Sequence, residues 1–390
     1  MYSIRMYTLL SLFVFAIGCK EEKKTGPESD TASQTDKKHE ITRQDTTVIK
    51  DKPGDLDTPE GMVWIPGAVI EQGAVPQDQM AMQHEKPAHT VAVDGFFMDA
   101  TEVTNAEFQK FVDETGYQTV AERDIDWEEM KKQLPEGTPK PADSIMQPGS
   151  LTFKKTNSSV PNLYDFSQWW QWTIGANWKH PDGPGSSLVG RENQPVVHIA
   201  HEDAVAYCEW AGRRLPTEAE WERAAQGNLA VKGDSAAQGR KARTIYFWGD
   251  DASELSQKAN TWEGEFPVTN TEADGFGERA PVKSYPPNDF GLYGMAGNVW
   301  EWTNDWYNTD YYKMVSAQNT IPKNPKGAAT PYNARDPYAK EKVMKGGSFL
   351  CNASYCASYR ISARMATSLD SSLEHLGFRT VASVDMLRGE

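Results

Sequence analysis

Thirteen tryptophans are spread along this chain. Many of them stand among glycine and polar residues instead of inside long apolar runs. A large aromatic ring has to be covered, but turn-forming neighbours interrupt the periodic segment that a helical bundle would need to cover it. This combination predicts a packed body with much irregular loop, in which short strands and a few helices meet around aromatic clusters. The fold class expected is α+β with low regular content.

The N-terminus is set apart from that body. Arg5 precedes an apolar run, Tyr7 to Ile17, shorter than the roughly 20 residues that span a bilayer. It ends at Ala16-Ile17-Gly18-Cys19, which reads as a lipobox with Cys19 as the lipidated residue. The other reading is an ordinary signal peptide with an incidental cysteine. Residues 20–60 are rich in Lys, Glu, Asp, Thr and Ser and cannot bury enough surface to offset their ordering entropy. They are expected to form a disordered tether, in which Lys20-Glu21-Glu22-Lys23-Lys24 could also act as a surface-export signal. The chain is thus expected to be lipid-anchored at a bacterial cell envelope, on the periplasmic or cell-surface side. Residues 61–385 form the folded part, long enough for one large domain or two small ones. The formal net charge of -15 argues against a nucleic-acid partner, because phosphate binding needs a basic surface.

Strand patterns occur at Met62-Val63-Trp64-Ile65-Pro66 and at His89 to Val93, followed by Phe96-Phe97-Met98. Thr104 and Glu107 make a capping box, Phe108, Phe111 and Val112 follow at helical spacing, and Gly116 closes the helix. Residues 127–168 read as irregular, with one short helix at 127–133. Trp169, Trp170, Trp172 and Trp178 form either a satellite core or an aromatic groove for an extended peptide, with core expected for most of them. A second helix is predicted over 202–212, with Ala204, Val205, Tyr207 and Cys208 buried. Thr217 and Glu220 cap a third, which buries Trp221 and Ala224. From Gly227 onward short strands and long loops are expected.

There are four cysteines. Cys19 is assigned to lipid and Cys208 to the core, where a free cysteine packs as a small hydrophobe. Cys351 and Cys356 remain, at a spacing that fits neither a redox Cys-x-x-Cys nor a zinc site. In an exported protein they are either a local disulfide or a dithiol that holds a soft metal. Spacing alone favours the disulfide.

The residues around this pair carry a resemblance. Lys345-Gly346-Gly347-Ser348, Cys351, Tyr355-Cys356, Tyr359-Arg360, Ala363-Arg364 and Leu376-Gly377-Phe378-Arg379 closely resemble the formylglycine-generating enzymes, or sulfatase-modifying factors. So do Gly297-Asn298-Val299-Trp300-Glu301-Trp302-Thr303, the run from Gly264 to Thr271, the run from Arg214 to Glu222, and Gly175-Ala176-Asn177-Trp178. The resemblance covers about residues 61–382. It implies a single compact α+β domain related to C-type-lectin-like architectures. It also implies a copper-dependent oxidase that converts the cysteine of a Cys-x-Pro-x-Arg segment in exported sulfatases to Cα-formylglycine with O2.

On that resemblance Cys351 and Cys356 would hold Cu(I) as thiolates, with Ser348 as a third catalytic residue. Trp300, Tyr355 and Arg364 would line the substrate pocket, although core packing competes for Trp300 and pairing with a carboxylate for Arg364. Two structural calcium sites are implied as well. The first uses Asn260, Thr261, Asp274 and Phe276. The second uses Gly297, Val299 and Glu301, with Gly294 where a ligating Asn is common. Asn352 stands where several members carry His, and Ile361 and Thr380 stand at two disulfide positions of the vertebrate enzymes. A monomer is expected. The alternative is a non-catalytic lipoprotein of the same fold in gliding or secretion machinery.

Overall fold

A computed structural model of the chain describes residues 46–228 and 242–389. Cys19, the apolar leader and the tether up to residue 45 lie outside the described residues.

Strand β1 (Met62–Ile65) pairs antiparallel with β4 (Phe96–Asp99), Val63 opposite Met98. On the other side of β4 lies β11 (Val381–Ser383), with Ala382 opposite Phe97. The Phe96-Phe97-Met98 run takes the middle of this sheet because it is buried on both faces. Between β1 and β4 runs a hairpin of β2 (Ala68–Gln72) and β3 (His89–Val93).

A four-stranded sheet has the order β10–β7–β8–β9, from β7 (Trp300–Trp306), β8 (Glu341–Lys345), β9 (Met365–Ser368) and β10 (Leu376–Gly377). Its β10–β7 pair is parallel and a bulge interrupts β7 between Trp302 and Trp306. The hairpin β5 (Gly149–Phe153) and β6 (Trp170–Ile174) stands beside it.

The predicted helices are present. α1 (Asn105–Thr115) has the expected reciprocal cap, with Thr104 N donating to Glu107 at 2.8 Å, and ends at Gly116 with φ 68°. The short α2 (Trp127–Met130) runs on into a 3-10 turn to Gln133. α3 (His201–Trp210) and α4 (Glu218–Gln226) follow, the latter capped by Thr217. Three further short helices were not predicted: α5 (Leu255–Lys258), α6 (Tyr311–Ser316) and α7 (Val384–Arg388), the last capped by Ser383.

α1 and α3 meet through Phe108, Phe111 and Tyr207, with Trp178 edge-on to Phe108 at 5.1 Å. That core continues through Cys208, Trp300, Trp302 and Phe378 to Cys351. A second core packs α4 against β2, β3 and β4. A third, aromatic one joins Trp169, Trp262, Phe266, Phe349 and Leu350.

Several expectations shift. Residues 46–60, placed in the tether, are tied to the domain: Ile49 O accepts from both Gly67 N and Gly95 N, and Trp64 Nε1 donates to Lys50 O. A Cβ on Gly95 would stand 2.2 Å from the Trp64 ring, so glycine is what lets this segment lie flat. The irregular reading of 127–168 missed β5. Of the clustered tryptophans, Trp169 and Trp178 are core, but Trp172 is 42% exposed on the open hairpin.

Candidate active site

The cysteine loop follows β8. Gly346 and Gly347 both take left-handed φ, 92° and 75°. A Cβ on Gly347 would approach Ser358 C and Tyr359 N to 2.9 Å, so the loop can fold back on itself only with glycine there. Two backbone bonds close the loop: Cys351 N donates to Ser348 O at 2.9 Å and Cys356 N to Asn352 O at 2.7 Å. The second is a single helical turn, and it is why a spacing unsuited to a redox motif still brings the two sulfurs together.

Cys351 and Cys356 are separate thiols. Cys351 is buried and Cys356 half-buried. The two thiols hydrogen-bond each other. Burial and the neighbouring Cys356 push the Cys351 thiol well up, opposed by the backbone N–H and hydroxyl of Ser348. The Cys356 thiol is held down chiefly by the hydrogen bond from Cys351, then by Ser358 and by the charge of Arg360. Cys356 is therefore the readier thiolate, and Cys351 the partner that would have to give up its proton for both sulfurs to hold a metal. Two thiols with no hard ligand beside them suit a soft ion such as Cu(I).

Ser348 is fully buried, and its N–H donates to Cys351 Sγ at 3.4 Å. Trp300 is 3% exposed and packs in the apolar cluster that contains Cys351 and against which Cys356 lies. Tyr355 stacks on Phe266, with centroids 4.4 Å apart, and meets Trp169 edge-on, forming an aromatic wall beside the thiols. Asn352 is committed to the frame. Its Nδ2 donates to Trp262 O and Gly264 O, and its Oδ1 accepts from Ser354.

Arg364 is not part of this pocket. Its guanidinium is buried and pairs twice with Glu218, at 2.7 and 2.8 Å, with Tyr312 beneath it. It serves an internal ion pair, the carboxylate alternative its sequence context left open. Missed altogether was His375, whose Nδ1 lies 3.5 Å from Ser348 Oγ. The available signal was a lone imidazole inside the same tail motif, directly before Leu376.

The two calcium sets differ. In the first, Asn260 Oδ1 and Thr261 Oγ1 are buried without a hydrogen-bond partner. Burial pushes the Asp274 carboxyl up, opposed in part by the backbone N–H groups of Thr261 and Phe276. Those oxygens fit a hard cation. In the second, both Glu301 oxygens are held by Arg379 at 2.7 Å, and Trp221 Nε1 adds a third bond. That set does not fit calcium, because its charged ligand is already neutralised from within the protein.

Residues 47–384 match the family described as sulfatase-modifying factor enzyme 1-like domain. The formylglycine-generating enzyme of Bos taurus is 40% identical over 370 residues, which cover 95% of this chain and 86% of the relative. The enzyme of that name from Thermomonospora curvata is 41% identical over 325 residues, 83% of this chain and 93% of its own. A Mus musculus protein named inactive C-alpha-formylglycine-generating enzyme 2 is 34% identical, over 83% of this chain and 85% of its own. Among solved structures, PvdO from Pseudomonas aeruginosa shares the fold, with a TM-score of 0.51 at 18% identity over 88% of this chain and 100% of that one. The chain belongs to the sulfatase-modifying factor enzyme 1-like family.

Proposed function

We propose that this chain oxidises the cysteine of a Cys-x-Pro-x-Arg segment in exported sulfatases to Cα-formylglycine. O2 is the electron acceptor, and Cys351 and Cys356 hold Cu(I). The observation that supports this reading is the pair itself: two free thiols bond each other in a closed loop whose Ser348 N–H donates to the buried sulfur of Cys351.

Bound copper would supply a soft Lewis acid for the substrate sulfur and a route for electrons to O2. The protein supplies the rest. Cys356 enters as the readier thiolate, Ser348 holds the Cys351 sulfur from two donors, and Trp300, Tyr355, Phe266 and Trp169 keep water from the thiols. In sum the substrate thiol, one O2 and one water give an aldehyde, sulfide and hydrogen peroxide. The first calcium set, around Asn260 and Asp274, would pin loops beside Trp262, which bonds the Cys351 carbonyl at 3.0 Å. A lipid anchor at Cys19 would hold the enzyme at the cell envelope, where exported sulfatases pass.

The test is to load the purified domain with Cu(I) and mix it with a Cys-x-Pro-x-Arg peptide in air. A mass change from thiol to aldehyde is expected. A copper-binding, folded protein that leaves the peptide intact would sink the reading in favour of the non-catalytic lipoprotein. Calcium is checked separately: chelation should lower the melting temperature, by about 2.7 kcal/mol of stability if the ion was present at a hundred times its Kd. An unchanged melt rejects that site.

A further inference from the structure

An imidazole reaches the thiol cluster from a distant part of the chain. His375 stands just before β10, and its Nδ1 is 3.5 Å from Ser348 Oγ. The ring is held edge-on by Trp170, with centroids 4.8 Å apart, and the His375 carbonyl accepts from Trp300 N at 2.8 Å. Burial, helped by His198 and Arg279, pushes its pKa down to about 3. The ring is therefore neutral under working conditions and acts through a hydrogen bond, not through charge.

A serine hydroxyl has one proton to give and two lone pairs to fill. Leu350 N already donates to Ser348 Oγ at 3.3 Å. If His375 carries its proton on Nδ1, it fills the second lone pair, and the single O–H is left to point at Cys351. In the other tautomer the Nδ1 lone pair would draw that O–H away from the sulfur. The 3.5 Å separation is long, as such bonds often are before a site is loaded. The residue after Cys351 offers no alternative, because the Asn352 amide is closed on backbone.

We infer that His375 is a positioning residue for the cysteine pair: it donates Nδ1–H to Ser348 Oγ and thereby directs the Ser348 hydroxyl onto Cys351 Sγ, one of the two sulfurs that would hold a soft metal. This deepens the proposed function and rests on it. Outer partners of this kind set the orientation and basicity of a metal ligand, and their loss costs roughly tenfold to a hundredfold in metal affinity or activity.

The experiment is an anaerobic Cu(I) competition titration against a chromophoric chelator, with kcat and KM on the peptide measured beside it. His375→Phe should weaken Cu(I) binding roughly tenfold or more and lower kcat while leaving the peptide KM in place. His375→Asn puts an N–H where Nδ1 was and should recover most of the loss. His375→Gln puts it where Nε2 was and should not. Added to Ser348→Ala, His375→Phe should cost nothing further, because its only route is through that hydroxyl. Equal behaviour of the Asn and Gln variants, full additivity with Ser348→Ala, or parent-like copper binding by His375→Phe each overturns the inference. If Phe does not fold, the Asn and Gln comparison decides alone. A parent that binds no Cu(I) overturns the reading of the site and this inference with it, whereas a copper-binding parent with an indifferent His375 removes only the latter.

Discussion

Two buried polar clusters are built from the same C-terminal tail. One holds Ser348, Cys351, Cys356 and His375. The other holds Glu218, Glu222, Lys345 and Arg364, with Tyr312 donating to Glu218 at 3.1 Å. The second is paired in charge, although Glu222 Oε2 and Lys345 Nζ stand at ion-pair distance without a hydrogen bond. Two carboxylates face two cations, Lys345 lying 3.6 Å from Glu222 and Arg364 bidentate on Glu218. In the first, the sulfurs bond each other, Ser348 and Ser358, and Arg360, committed to Asp78 and Glu85, acts on Cys356 only by its charge. Groups neutralised from within hold a fold together, while groups left with bonding capacity in a dry place are where a ligand fits. Glu301 and Asp274 repeat the contrast: the carboxylate saturated by Arg379 is structural, and the one beside the unbonded Asn260 Oδ1 is open.

The contrast is broken most directly at the sulfurs. Cys356→Ser should abolish peptide conversion and Cu(I) binding while the melting temperature stays near the parent's. Full activity would show that the pair is not the metal site. The converse holds in the ionic cluster. Arg364→Leu leaves Glu218 buried with only the Tyr312 hydroxyl and the more distant Lys345 beside it and should cost about 3 kcal/mol, read by denaturant or thermal unfolding. Below its melting transition that variant should still convert peptide with an unchanged KM. A raised KM with an unchanged melt would return Arg364 to the substrate surface.

Asp305, which accepts Glu218 N at 2.9 Å, sharpens the same point. Burial and the charge of Glu218 raise its pKa from 3.8 to about 8. The folded state therefore holds a proton that the unfolded chain has lost, so stability is greatest at low pH and falls as pH rises between those two values. The slope is up to about 1.4 kcal/mol per pH unit, or about 3 kcal/mol between pH 5 and pH 7. Asp305→Asn keeps an acceptor for Glu218 N and should remove that slope from melts taken across the range. An unaltered slope would mean that Asp305 is ionised in the folded protein.

Local rules made part of this legible. The capping pairs Thr104–Glu107 and Thr217–Glu220 located two helices, because the cap is a local device written within four residues. The cysteine pair and Ser348 were visible only through the surrounding Gly-Gly-Ser and Tyr-Arg context, since spacing by itself favoured a disulfide. His375 and the true place of Arg364 were not legible. Both depend on which side of the β8–β9 and β10–β7 pairings a residue falls, and a shift of one residue exchanges core for site. The packing of residues 46–60 was hidden for another reason: their polar composition looks unfolded, and it is their backbone carbonyls that the domain uses.

The smallest effect concerns the frame of the thiol cluster. Asn352→Ala removes the amide bonds to Trp262 O and Gly264 O. The side chain is only half-buried, so water can replace part of what is lost, and the cost should be about 1 kcal/mol. The more informative exchange is Asn352→His, which installs the imidazole that several family members carry after their first cysteine. If His375 already orients Ser348, a second imidazole adds nothing to the hydrogen-bond chain, and the new ring disturbs the loop by giving up one of the two carbonyl bonds. Turnover should then stay level or fall slightly, with a melting loss no larger than that of the alanine variant. A several-fold rise in kcat for Asn352→His, at unchanged copper affinity, would mean that the site lacks an imidazole where the chemistry needs one, and that His375 does not stand in for it.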